Sequence, residues 1–408
     1  MKKWLNLKTL ALFIVLIAFG ALIFWLNSGP RPSKAANLTY ERARIIKVAG
    51  EELEEDSLHK GIYTGSQDVV LELLSGADKG ETYEMKNYVS ALYNIICKEG
   101  TKVIVTFDNR PGTTNKVSVY SYDRENILYF VIAVFFAAMC GVGGKKGVKS
   151  VLGLIFTFVS VIFVFVPMIY KGYPPILAAL LIAAVTTFVS FWLLNGFTLK
   201  TLCAVLGTIS GVTIAGVVSS IAGGLAHLTG FNTQEAETLM LVAQDHHMQV
   251  RGILFAGILL ASLGAIMDIA ISIAAAMQEL TEANPSLTAR QLFISGLNIG
   301  RDMIGTMSNT LILAFAGSSL GMMIVIYSYN VPFYQLINTD MVGIELIQSM
   351  AGSIAVVFTV PMMAILSAWI FTRSASKREA VKKGSAPFER PAAGKNIRQA
   401  GAGYQKAR

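Results

Sequence analysis

The chain has 408 residues, of which 53% are hydrophobic and only 15% charged, with a mean hydropathy of +0.55. That balance excludes an ordinary water-soluble domain. The formal net charge of +8 does not mark a nucleic-acid partner either: from Arg373 onward there are ten Lys/Arg and two Asp/Glu, which leaves the rest of the chain neutral in sum.

The chain opens with Lys2, Lys3 and Lys8 ahead of an apolar run from Leu10 to Leu26. A signal peptide shares this charge layout, but its apolar core is usually only about 7–15 residues long. Residues 1–26 are therefore read as an uncleaved membrane anchor, with a signal peptide as the alternative.

Residues 27–126 form the one long hydrophilic stretch before the tail. Val69, Leu71 and Leu73 alternate on one face of a strand, and Ser75 to Gly80 is a turn cluster. Further strands are expected around Tyr83 and Met85, Val103 to Phe107, and Val117 to Val119. About five short strands with glycine turns point to a small β-rich domain, OB-like or a sandwich. The acidic cluster of Glu51, Glu52, Glu54, Glu55 and Asp56 is expected in a solvated loop.

Residues 127–372 carry seven further apolar runs: 127–141, 151–170, 175–194, 201–225, 252–277, 303–326 and 346–371. Runs approaching or exceeding about 20 residues match a hydrocarbon core of about 30 Å. They lack the alternation of barrel strands, and backbone groups in lipid must pair internally, so they are helices. Counting the anchor, the expected fold is an all-α polytopic bundle of about eight transmembrane helices with a small extracytoplasmic β-rich domain.

Orientation follows from basic residues in short loops. With the N-terminus inside, the cytoplasmic side receives nine Lys/Arg from Lys2 to Arg301, against Lys171 and Arg251 outside. An even number of spans returns residues 373–408 to the cytoplasm as a basic, disordered tail beside anionic lipid. The expected location is a bacterial cytoplasmic membrane, with residues 27–126 outside.

Three runs carry unusual patterns. In the fifth span Cys203, Gly207, Gly211, Ala215, Ser219 and Gly223 recur every fourth residue, a ridge that lets helix backbones approach closely. The sixth holds Asp268 deep in apolar sequence, with Ser272 one turn on. A carboxylate there is costly in lipid, so it is expected to face the protein interior, to pair with a cation or to be protonated. The seventh opens at Arg301 and Asp302 and continues through Thr306, Asn309 and Thr310; Asn298 extends this polar stripe backwards if the helix begins earlier. Arg301 is the natural local partner for an acidic group, and equally a plain positive-inside anchor.

Between the fifth and sixth spans, Asp245, His246 and His247 are weak candidates for a metal or pH-sensing site. Adjacent histidines diverge on a helix, so no metal site is assigned. Cys97, Cys140 and Cys203 have no ligand spacing, and no cofactor is expected. The loop from Gly141 to Ser150 resembles a phosphate-binding loop only superficially, because Val148 rather than glycine precedes Lys149. With no catalytic signature, an enzyme is not expected.

The stretch Arg251 to Gly257, then Gly264 to Asp268, and the stretch Gly300 to Leu311 resemble the YibE/F family of bacterial multi-pass membrane proteins. The resemblance covers nearly the whole chain. It implies an anchor, a small outer β-rich domain and a multi-span core, and brings no biochemical activity with it. The leading expectation is a transporter or channel-like permease with a polar path lined by the sixth and seventh spans. The alternative is a non-transporting scaffold or receptor whose outer domain binds an envelope or protein partner. The lipid bilayer is the one partner implied, nucleic acid is not, and a homo-oligomer or an accessory protein stays open.

Overall fold

The structure is a computed structural model that describes residues 19–28, 38–108, 116–228, 239–240 and 248–384. The chain divides into two compact units, Met1–Val151 and Leu152–Arg408.

In the first unit a short helix, α1 (residues 19–27), precedes the strands β1 (Leu38–Glu55), β2 (Tyr63–Leu73), β3 (Thr82–Val89), β4 (Lys102–Asp108) and β5 (Lys116–Tyr122). They form one antiparallel sheet in the order β3-β2-β1-β4-β5. The alternating residues do what their period demands. Val69, Leu71, Leu73, Val103, Val105 and Phe107 are buried in one core with Ala43, Ile45 and Cys97. Tyr83 of β3 meets Phe107 of β4 edge-to-face at 5.6 Å, and β3 and β5 approach one another, so the sheet curls into a half-barrel. Among the described residues there is one sheet and no sandwich.

The strand least visible in the sequence is the central one. β1 runs for 18 residues, with register shifts between Ile45 and Lys47 and between Val48 and Gly50. Each bulge bends the strand and breaks its period, which hides it from a period-two reading. The acidic cluster, expected in a loop, lies on this strand from Glu51 to Glu55 and pairs with β2. Asp56 alone turns out of it, accepting hydrogen bonds from the Leu58 and His59 amides. Those amides hold its carboxyl below the usual carboxylate range.

Helix α2 (Glu125–Ser160) begins where Arg42 of β1 pairs with Glu125. It is broken at Gly144, whose φ of 52° and ψ of −134° are not helical. A Cβ at Gly147 would strike the carbonyl of Met139, eight residues earlier. In an unbroken helix those residues would stand about 12 Å apart, so the chain turns back here. A π-helical turn, Val161–Phe165, then leads into α3 (Val166–Tyr170), which contains Pro167. Proline has no N–H for the ordinary ladder, and the wider turn absorbs the missing bond.

The second unit continues with α4 (Pro175–Asn195), α5 (Leu199–Leu225), α6 (Val250–Ala283), α7 (Ala289–Ser318), α8 (Leu320–Ser328), α9 (Phe333–Ile337) and α10 (Asp340–Gly384). Gly196 ends α4 at φ 69°, and the Thr198 hydroxyl caps α5 by accepting from the Thr201 amide at 3.1 Å. Thr288 and Gln291 form a reciprocal capping box at the start of α7. The long helices α5, α6, α7 and α10 pack together, with α10 against each of the other three.

Among the described residues five helical segments are long and apolar enough to cross a membrane: Glu125–Tyr170, Pro175–Asn195, Leu199–Leu225, Gly252–Ala283 and Asp340–Ser374. A sixth would be α7 with α8, bent by 62°. This does not give the eight expected. Two of the expected runs fall in one segment broken at Gly144, and most of the anchor run lies outside the described residues. The seventh run differs most: its helix starts at Ala289, well before Met303, and stops at Ser319. At the other end, α10 continues helical past Arg373 to Gly384, into the stretch expected as disordered tail.

Candidate membrane-embedded polar site

Small residues set the spacing of the second unit. Gly207, Gly211, Ala215, Ser219 and Gly223 of α5 are buried, as is Cys203. A Cβ at Gly207 would run into the Met363 sulfur of α10. At Gly211 it would meet Thr359 of α10 and Ile266 of α6, and at Gly223 the Phe255 ring of α6. Close backbone approach of this kind is how helices associate in lipid, where burying apolar surface gains nothing.

The same device seats α7. Gly296 lies against Met277 of α6 and Ala364 of α10, and Gly300 against Ile273 and Val360. These pairs run in opposite directions along α6 and α7, so the two helices are antiparallel. Asp268, five residues before Ile273, is therefore level with Gly305, five residues after Gly300.

That packing face decides where the polar residues go. The buried positions of α7 are Leu292, Gly296, Gly300, Leu311 and Phe315. Asn298, Arg301, Asp302, Thr306, Asn309 and Thr310 are all exposed, on the remaining surface of the helix. The hydroxyl of Thr306 donates to the Met303 carbonyl at 3.0 Å, and that of Thr310 to the Thr306 carbonyl at 2.9 Å. Their donors are thus satisfied within the helix, while Asn309 has no described partner. Arg301 donates to Asn298 at 3.3 Å, and among the described residues it forms no ion pair with an acid.

Asp268 lies on the exposed side of α6 with Gly257, Ala261 and Gly264, away from the interior of the described bundle. The helix spends its other side, from Phe255 through Ile266 and Ile273 to Met277, on the bundle core. Ser272 is half-buried beside this exposed strip. Asp268 has no hydrogen-bond or ion-pair partner among the described residues. The structure thus brings Asp268 and the α7 stripe to one level, on faces that the described helices leave uncovered.

Asp245, His246 and His247 lie outside the described residues. Among the described residues no group of three or more His, Cys, Asp or Glu could hold a metal ion. Two polar groups escaped the sequence reading. The Ser308 hydroxyl and one carboxylate oxygen of Glu345, in the first turns of α10, are buried without a partner among the described residues. Glu345 could have been noticed as an acid just ahead of the last apolar run, whereas Ser308 looks like any helical serine.

The half-barrel sheet followed by long apolar helices defines a class, a multi-pass membrane protein with a small β domain. Residues 131–373 match the YibE/F-like protein family, and residues 38–122 match the YibE/F family N-terminal domain. The chain belongs to the YibE/F family. Neither the comparison with curated proteins nor that with solved structures gave a match.

Proposed function

We propose that this protein is a transporter or channel-like permease of the bacterial cytoplasmic membrane, whose path runs along the polar faces of α6 and α7. In this reading the chain crosses eight times, both termini are cytoplasmic and the β domain lies outside. The basic-residue asymmetry of the loops supports the orientation. The break at Gly144 supports the count, because it splits one long segment into two crossings. One observation carries the transport reading. Asp268 lies level with Gly305, in the middle of the stripe from Asn298 to Thr310, and polar groups within a membrane-crossing stretch mark solvated paths.

The test is flux through purified protein in liposomes, read for protons with a trapped pH dye and for sodium, potassium and phosphate with specific indicators. At least one flux should exceed that of empty vesicles and fall in Asp268→Asn. Rates equal to empty vesicles for all four would remove the reading. A second reading, a scaffold or receptor, is favoured by the exposed side chains of Leu58, Tyr88, Leu92 and Tyr93 on the β domain. Asn94 donates to the Tyr63 carbonyl at 2.8 Å, which ties the loop carrying Leu92 and Tyr93 to the turn carrying Leu58. Such a patch suits a protein partner.

A further inference from the structure

We propose that the outward polar face of α7 is covered in the membrane by the same face of a second copy of this chain, so that the polar site is completed between protomers. The argument stands without transport, since it begins from what lipid cannot do. Hydrocarbon offers no partner to Asn309 or to the free lone pairs of the Thr306 and Thr310 hydroxyls. Nothing among the described residues of the second unit covers them, and the packing face of α7 is already used on α6 and α10. The cover therefore comes from outside the described bundle.

Charge and hydrogen-bond complementarity point to a second copy. All copies in one membrane share one orientation, so a rotation axis along the membrane normal brings residues of equal depth together. On such an axis the stripe complements itself. Arg301 and Asp302 are neighbours of opposite sign, so Arg301 of one copy meets Asp302 of the other. The Asn309 amide both donates and accepts, and pairs with its own counterpart. The threonine hydroxyls supply acceptors for it. Gly305, in the middle of the stripe, has nothing within 4 Å of where a Cβ would stand, and neither do Gly257 and Gly264 beside Asp268. Such open small residues let a second backbone come close enough for these short polar side chains to reach across.

The test is made on the full chain in native membranes. Asn309→Cys in a Cys140→Ala background should give a covalent dimer on oxidation, because Cys97 and Cys203 are buried and silent. Val217→Cys and Ile365→Cys, on exposed apolar faces of α5 and α10, should stay monomeric. Thr310→Cys repeats the measurement should the first variant not accumulate. Independently, the wild type carrying a fluorescent protein at its C-terminus should bleach in two or more steps per spot. Single-step bleaching, with no dimer from either stripe cysteine, would overturn the proposal and assign the cover to another protein or to this chain's own residues outside the described set. Multiple steps with cross-linking only at Val217 or Ile365 would overturn the placement. Either result leaves the flux experiment free to succeed or fail separately.

Discussion

The β domain and the helical unit treat buried polarity in opposite ways. In the β domain the buried amides of Gln67 and Asn87 are paired within the chain. The Gln67 amide donates to the Cys97 carbonyl at 3.0 Å and accepts from the Cys97 amide at 2.8 Å, while Asn87 donates to Gln67 at 3.2 Å and to the Ile95 carbonyl at 2.8 Å. This lattice fastens the irregular segment between β3 and β4 across the core. In the helical unit glycine, alanine and serine set the helix spacing among buried isoleucine, leucine and methionine, while Asp268 and Asn309 face outward without a partner among the described residues.

The largest effect should come from cutting the β-domain lattice. Gln67→Leu leaves the Cys97 amide and carbonyl buried and unpaired, at about 1–3 kcal/mol for each group. In a fragment of residues 38–124 this should lower the melting temperature by more than ~10 °C. A fragment that melts unchanged would mean that water reaches the lattice and that the domain is looser than its burial implies. Next in size is overpacking of the helical interior. Gly207→Leu forces a side chain into Met363, and overpacking of a close-packed interior typically costs about 1–3 kcal/mol. The variant should accumulate poorly and melt earlier in detergent, while Gly305→Leu, with open space around it, should leave the melting of an isolated protomer near wild type.

How far each region was legible follows from the same contrast. β2 and β4 are regular strands with one buried face, so Val69, Leu71, Leu73, Val103 and Val105 announce themselves by period. β1 does not, because its two bulges shift the phase and its exposed positions carry charge. The glycine ridge of α5 was legible because close helix packing needs small residues at a fixed interval. The bend after Ser318 was less so, since its only mark is the Gly317-Ser318-Ser319 step, of the kind that kinks helices, inside an apolar run that continues through Leu320 to Ile326. Asp268 was legible as unusual, but its direction was not. A sequence shows that a carboxylate is costly in lipid without showing which chain supplies its environment.

Asp268→Asn sharpens the comparison with a smaller effect on stability. The carboxylate has no partner in the described bundle, so no buried ion pair is broken within the protomer. The cost to an isolated protomer should then resemble that of a surface change, about 0.5 kcal/mol or less. Abundance and melting near wild type, with loss of flux, would fit the proposed path. Degradation of the variant would instead reveal a partner for Asp268 outside the described residues.

The smallest expected effect is the reactivity of Cys97 in the folded β domain. The side chain is 1% exposed, Asn87 donates to its sulfur at 3.6 Å, and burial pushes the thiol up to about 11. Attack by a maleimide requires thiolate, so at pH 8 the native protein should react on the order of a thousandfold more slowly than a thiolate, before steric exclusion is counted. The sign of the shift also fixes how stability depends on pH. The folded state holds this proton more tightly than the unfolded chain does, so its contribution is fully present below the ordinary thiol value of 9.0 and is lost as pH rises towards about 11. Cys97→Ala should remove that part of the alkaline decline in melting temperature. Because Cys97 is silent, it cannot report on which side of the membrane the β domain lies. Leu92→Cys, whose parent side chain is 84% exposed, can do so. An impermeant maleimide on intact cells should label Leu92→Cys and leave Cys97 untouched until the protein is denatured. Labelling of Leu92→Cys only after lysis would put the β domain in the cytoplasm, whereas rapid native labelling of Cys97 would show that the half-barrel opens between β3 and β4.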